Sequence, residues 1–205
     1  MTFLTKIYRI ILYYLSKILS GDFAYFTMLR LRYKVDLRNV SIDKLGILKE
    51  IGNMHMKSGG PSLQHILNTL NITSTDSVID IGCGKGSALI TIAKFPFKKK
   101  CGIELSSDFV KIAEQNFAKL GITDIELYCC DARFFSDFDE FNVIYMYNPF
   151  PCAVMQKMME NISNSLKLRP REIRIIYLNP ICHQTLLETS LFDQITSFDS
   201  LGDKM

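Results

Sequence analysis

Tryptophan is absent from this 205-residue chain, and there are only three histidines. His55 and His65 have no partner at metal-ligand spacing, so no metal is expected. The six cysteines, Cys83, Cys101, Cys129, Cys130, Cys152 and Cys182, form no C-x-x-C pair. That is poor spacing for a metal and a poor disulfide framework, and it points to reduced, buried thiols in a cytosolic protein. Long apolar runs are missing as well. The longest near the N-terminus, residues 10–15, is far short of the roughly 20 residues a bilayer-spanning helix needs. No small-residue cleavage site follows it, which argues against a signal peptide. Strong net charge is lacking: at +3 the chain has little reason to require nucleic acid, although nucleic acid stays open as a partner. Linkers, internal repeats and low-complexity tracts are also absent. The length and the 48% hydrophobic content therefore fit one α/β domain with an N-terminal extension.

What is present centres on residues 78–87, Val-Ile-Asp-Ile-Gly-Cys-Gly-Lys-Gly-Ser. Apolar β-branched residues run through Asp80, glycines follow at Gly82, Gly84 and Gly86, and a helical pattern then begins. This reads as a buried strand, a turn that another molecule can approach closely, and a helix start with unpaired N–H groups. The spacing is G-x-G-x-G. A dinucleotide fingerprint requires G-x-G-x-x-G, and its third glycine would fall on Ser87. A P-loop also fails, because Gly86 follows the only Gly-Lys pair, Gly84-Lys85. The side chain of Cys83 is expected to pack rather than react.

Residues 1–20 alternate polar and apolar positions at helical spacing, with Lys6, Arg9 and Lys17 and no acidic residue. A membrane-surface helix and a helix packed on its own domain or a partner fit this pattern equally. Residues 23–31 predict a second helix. Arg30, Arg32, Lys34 and Arg38 beyond it read as a solvated face, with phosphates or lipid headgroups as the alternative. Residues 40–51 read as loop and short helix. The 54–62 loop has the position to cover a cofactor, and Pro61 suits the first turn of a helix striped by Leu63, Ile66, Leu67 and Leu70.

From Ser77 the alternation is regular. Strands are predicted at 77–81, 101–104, 125–129, 141–147 and 172–178, with a last one around 192–198. Helices are predicted at 87–95, 106–120, from Pro151 onward with a stripe of Val154, Met155, Met158, Ile162 and Leu166, and across 182–189. Repeated strand–helix units mean a doubly wound, mostly parallel sheet. In such sheets ligands bind beyond the carboxyl ends of the strands. Polar features stand there on four successive strands: Asp80 with the glycines, Glu104, Asp131, and Asn148-Pro149-Phe150.

This pattern resembles the class I S-adenosylmethionine (SAM) methyltransferases over roughly residues 63–180. The resemblance implies a Rossmann-like fold of six or seven strands, SAM as cofactor and methyl transfer as activity. Residues 1–60 would be a helical extension and residues 61–205 the SAM-binding domain. It also implies that Glu104 grips both ribose hydroxyls, that Leu105 lies against the adenine, and that Asp131, beside Ala132, accepts from the adenine amino group. Asp80, Gly82, Cys83, Gly84 and Gly86 would hold the methionine part. Asn148, Pro149 and Phe150 resemble motif IV of the amino-methylating branch, written [DNS]-P-P-[YFW], with one proline missing. On that resemblance they are the catalytic residues and the acceptor atom is nitrogen, in a protein amine, a nucleic-acid base or a small metabolite. Tyr145 and Tyr147 share one strand face, which makes at least one of them core. A non-catalytic SAM-binding module is the alternative, and an NAD-dependent oxidoreductase is disfavoured by the glycine spacing. The expected location is cytoplasmic, with residues 1–20 as a candidate contact to the inner membrane face.

Overall fold

Among the described residues five strands run in parallel in the order β3-β2-β1-β4-β5. The computed structural model describes residues 21–40, 52–53 and 56–192. Strand β1 (Ser77–Ile81) is buried at every position, as a central parallel strand built on Val78, Ile79 and Ile81 demands, and it carries Ser77 and Asp80 into the interior with it. Strand β2 (Lys99–Glu104) pairs with it on one side and β4 (Val143–Tyr147) on the other. Strands β3 (Glu126–Cys129) and β5 (Arg174–Leu178) are the outermost among the described residues. The sequence expectation of a doubly wound parallel sheet is met. Its last strand, around residues 192–198, lies almost wholly outside the described residues, as does the amphipathic stretch 1–20.

Helices cover both faces. On one, α2 (Gly60–Thr69), α3 (Ser87–Ile92) and α4 (Ser107–Leu120) pack with the inward side of α1 (Asp22–Tyr33). On the other, a 3-10 turn (Asp137–Glu140), α5 (Cys152–Leu168) and α6 (His183–Leu187) enclose Ile79, Ile81, Ile144 and Met146. The predicted stripes do the packing: Leu63, Ile66 and Leu67 of α2, Phe109, Ala113 and Phe117 of α4, and Val154, Met155, Met158 and Ile162 of α5 are all buried. Ser106 caps α4 by accepting from the Phe109 N–H, and Gly121 ends it in the left-handed conformation. The 3-10 turn lies where sequence periodicity shows only a connection.

One expectation is corrected. The cysteines are not all reduced, because Cys152 and Cys182 form a disulfide. Their separation of 30 residues hides the pair in the sequence, but the fold sets both at the same end of the sheet, at the starts of α5 and α6. Cys83, Cys101, Cys129 and Cys130 are free thiols.

Candidate functional site

The sheet order reverses between β1 and β4, and a cleft opens beyond the carboxyl ends of the strands there, where ligands of doubly wound sheets bind. Gly82, Cys83, Glu104, Leu105, Asp131, Ala132, Asn148, Pro149 and Phe150 all line this cleft. Each stands at or just past a strand end, as strand periodicity predicts. Asp80 lies behind the wall, buried within β1.

The glycine turn is built by close approach. The N–H groups of Gly82 and Cys83 both donate to the Ile103 carbonyl at the end of β2, at 2.8 and 2.9 Å. Gly82 has φ +74°, and a Cβ there would meet the Pro149 Cβ at 2.5 Å. The cofactor-type turn and the Asn-Pro turn of β4 therefore touch, with no room for a side chain between them. Gly86, at φ +81°, starts α3 where a Cβ would lie 2.6 Å from the Phe117 ring. Lys85, between these glycines, points away from the cleft. It is buried, and its Nζ contacts Asp36 at 3.3 Å and donates to the Arg38 carbonyl at 3.1 Å. Asn116 donates to the carbonyls of Lys85 and Asp36 and accepts from the Asp36 N–H. Residues 36–38 thus fasten the turn from behind.

Glu104 is only 8% exposed and is held in place: one carboxylate oxygen accepts from the Gly84 N–H and the other from the Ser106 N–H, both at 2.8 Å. Each oxygen keeps further lone-pair capacity toward the cleft. Burial raises its pKa, and the backbone N–H bonds partly offset that rise. Asp80 is buried deeper, and burial together with the nearby Glu104 charge pushes its pKa well above the usual carboxylate range. Burial likewise pushes the Cys83 thiol up, which keeps it protonated and unreactive, as expected of a packing residue.

Asp131 sits at the rim, but its carboxylate turns to Arg133. It accepts from the Arg133 backbone N–H and from the guanidinium, the shortest contact being 2.6 Å. Burial would raise its pKa, and the bonds from Arg133 outweigh this and bring it below the usual range.

Asn148 adopts a left-handed conformation, φ +40°, which asparagine tolerates better than most side chains. This sharp bend ends β4 without the second proline of the motif it resembles. No sequence signal points to the residue that meets it. The side-chain amide nitrogen of Asn53 donates to both the Asn148 carbonyl, at 3.1 Å, and the Asn148 side-chain oxygen, at 3.3 Å. The Asn53 backbone N–H donates to the Pro149 carbonyl at 3.1 Å. Met56, Ser58, Ser87, Phe109, Tyr147 and Val154 also line the cleft, and no motif singles them out as site residues. The loop expected to cover a cofactor does contribute, through Met56 and Ser58. Tyr145 is fully buried while Tyr147 reaches the cleft, which divides the pair between core and site.

Residues 78–169 match the family model described as a methyltransferase domain. A probable cobalt-precorrin-6B C(15)-methyltransferase (decarboxylating) of Methanococcus maripaludis is 31% identical over 138 residues, covering 66% of this chain and 67% of that protein. The chain belongs to the class I SAM-dependent methyltransferases. A protein-lysine N-methyltransferase of Saccharolobus islandicus is 31% identical over 86 residues, 42% of this chain and 53% of that protein. The methyltransferase chain thus spans about half the length of this second relative. A crystal structure of a ribosomal protein methylase from Lactobacillus delbrueckii subsp. bulgaricus shares the fold, with a TM-score of 0.50, 20% identity and coverage of 66% of this chain and 69% of that one.

SAM is the cofactor of this family, and the cleft fits it. A diol needs a paired acceptor, and Glu104 offers two fixed oxygens. An adenine needs apolar walls, and Leu105, Phe109 and Ala132 line that side. An amino-acid end needs close backbone approach, and Gly82, which carries no side chain at φ +74°, lines the cleft with the carboxyl group of Asp80 buried behind it. Among the described residues no cluster suited to a metal ion occurs, and no helix is long and apolar enough to cross a membrane.

Proposed function

We propose that this methyltransferase transfers the methyl group of SAM to a nitrogen atom, with Asn148 as the residue that positions the acceptor. The observation that carries this reading is the bond pattern of Asn53. Its amide nitrogen meets two oxygen acceptors at once, from the side chain and the carbonyl of Asn148. Two acceptors converging on one –NH2 group form a seat for an amino group, whichever molecule supplies it. An acceptor amine entering that seat displaces the Asn53 amide. When bound, SAM supplies an electrophilic methyl group on a sulfonium.

The chain's own residues do the rest. Glu104 holds the ribose hydroxyls, and Leu105 and Ala132 flank the adenine. Asp131 stands at the adenine edge, where its bonds to Arg133 compete with an adenine amino group. Gly82 and Cys83 hold the methionine end, with Gly84 and Gly86 shaping the turn and Asp80 buried behind it. Asn148 fixes two N–H bonds of the acceptor and so directs its lone pair. Transfer to nitrogen needs chiefly such in-line positioning. Phe150, buried beside Val154 at the cleft, supplies an aromatic group close to the developing cationic charge. The acceptor belongs to the amines: a protein amine, a nucleic-acid base amine or a small metabolite.

The test is to incubate the protein and cell extract with methyl-labelled SAM and identify the bond formed. Label in an N-methyl group supports the reading. Label recovered only as an O-methyl or C-methyl product rejects nitrogen and leaves methyl transfer standing. Tight SAM binding with no transfer to any extract component favours a non-catalytic binding module.

A further inference from the structure

The outer side of α1 is an unusual surface for a helix that closes a domain. Its inner side is occupied: Phe26 and Leu29 enter the core, and Asp22 is buried, accepting from the Ser62 N–H at 2.9 Å and from the Ser62 hydroxyl at 2.8 Å. The opposite side carries large apolar side chains in water. Phe23 is 56% exposed, Leu31 70% and Met28 43%. Phe23 and Leu31 share one row, with the half-buried Thr27 between them, and Ala24 and Met28 form the adjoining row, so the outer side is a largely apolar stripe. Arg30 borders it on one side and Arg32 on the other, both exposed, and exposed Lys34 follows the helix end.

Charge along the sequence sharpens the picture. Residues 1–34 contain Lys6, Arg9, Lys17, Arg30, Arg32 and Lys34, against the single acid Asp22, which is buried. The +5 of this stretch exceeds the +3 of the entire chain, leaving the remaining residues at −2. On α1 and at its end, Arg30, Arg32 and Lys34 stand against Asp22 alone, a net charge of +2 beside the apolar stripe. An apolar row bordered by arginines, with no exposed acid, is the pattern of a helix lying in the plane of an anionic bilayer surface.

We infer that the outer face of α1 is a docking surface for an anionic lipid membrane, with Phe23, Met28 and Leu31 entering the headgroup boundary and Arg30, Arg32 and Lys34 meeting lipid phosphates. The inference does not depend on the acceptor chemistry. It does bear on it, because the Asp22–Ser62 bonds fix α1 to the start of α2, directly after the loop whose Met56 and Ser58 line the cleft. Docking therefore holds the cleft close to the lipid surface.

The experiment is flotation of the full chain with vesicles of phosphatidylcholine alone, or of phosphatidylcholine and phosphatidylserine in equal parts. The wild-type protein is expected to float with the anionic vesicles and to be released by salt. Replacing Phe23→Ser together with Leu31→Ser should abolish flotation and leave the thermal shift caused by S-adenosylhomocysteine unchanged. If that pair is destabilised, Arg30→Gln with Arg32→Gln decides instead. Removing two lipid-facing charges should weaken partitioning roughly thirty-fold at low salt. Wild-type protein that stays with neither vesicle overturns the inference, including the case in which it elutes as a dimer through this face. Flotation that survives both pairs of substitutions also overturns it, since residues 1–20 or another surface would then carry the binding. Equal flotation with neutral vesicles rejects the role of the arginines.

Discussion

Of two carboxyl groups, Glu104 stands at the wall of the cleft and Asp80 behind it, and burial raises the pKa of both. A carboxyl group whose folded pKa lies above its unfolded value of about 3.9 favours the folded state most when protonated. Its contribution is complete below the unfolded pKa and is lost as pH rises toward the folded one. Asp80→Asn removes that loss. The variant without cofactor should therefore be more stable than wild type at neutral pH, with the difference vanishing in acid near the unfolded pKa. Urea denaturation at the two pH values measures this, and an equal difference at both would show that ionisation is not its source. Glu104 answers a different question, because its oxygens are already oriented by Gly84 and Ser106. Glu104→Gln keeps the shape and one acceptor but loses the charge. Glu104→Ala loses both, and with hydrogen bonds to charged groups worth about 1.5–3 kcal/mol, affinity for S-adenosylhomocysteine should fall roughly ten-fold or more. Calorimetry showing alanine equal to wild type would remove Glu104 from the ribose site.

At the scale of elements, β4 and β5 end alike. Tyr147-Asn148-Pro149 and Leu178-Asn179-Pro180 each carry an asparagine in the left-handed region, at φ +40° and +49°, followed by proline. The same bend stops two neighbouring parallel strands and releases the chain into a helix. Only the first bend lies in the cleft wall and receives the Asn53 amide. The disulfide then joins the two helices that these bends release, linking Cys152 at the start of α5 to Cys182 at the edge of α6. It closes a loop with a sequence separation of 30, for which the unfolded-chain entropy argument gives about 2–4 kcal/mol. Cys152→Ser, or reductant added to the wild type, should lower the unfolding free energy by about that amount. Coincident denaturation curves with and without reductant would show that the link carries no stability.

As a whole, the molecule divides into what sequence periodicity can reveal and what it cannot. The sheet was legible because β1 places the β-branched Val78, Ile79 and Ile81 around Asp80 and because α4 and α5 repeat their buried residues at helical spacing. The cleft wall was legible because parallel strands deliver their last residues to one edge, so Glu104, Asp131 and Asn148 had to gather there, with Asp80 just behind. The contributions of Asn53 and Asn116 were not, since each works through hydrogen bonds across 31 to 95 residues that leave no local pattern. The Cys152–Cys182 pair was hidden for the same reason, and the turning of Asp131 to Arg133 is a matter of rotamer rather than of spacing. The central claim joins the legible and the hidden parts: the bend at Asn148 holds an amino group against the cofactor. It is tested most directly by Asn148→Ala, comparing the rate of labelled methyl transfer from SAM to extract amines with affinity for S-adenosylhomocysteine. Loss of one positioned polar contact in a transition state costs about 2.7–4 kcal/mol, so turnover should fall on the order of a hundred-fold or more. Cofactor affinity should stay within a few fold of wild type, a loss in kcat without a loss in binding. An Asn148→Ala protein that transfers methyl groups at the wild-type rate would contradict the account.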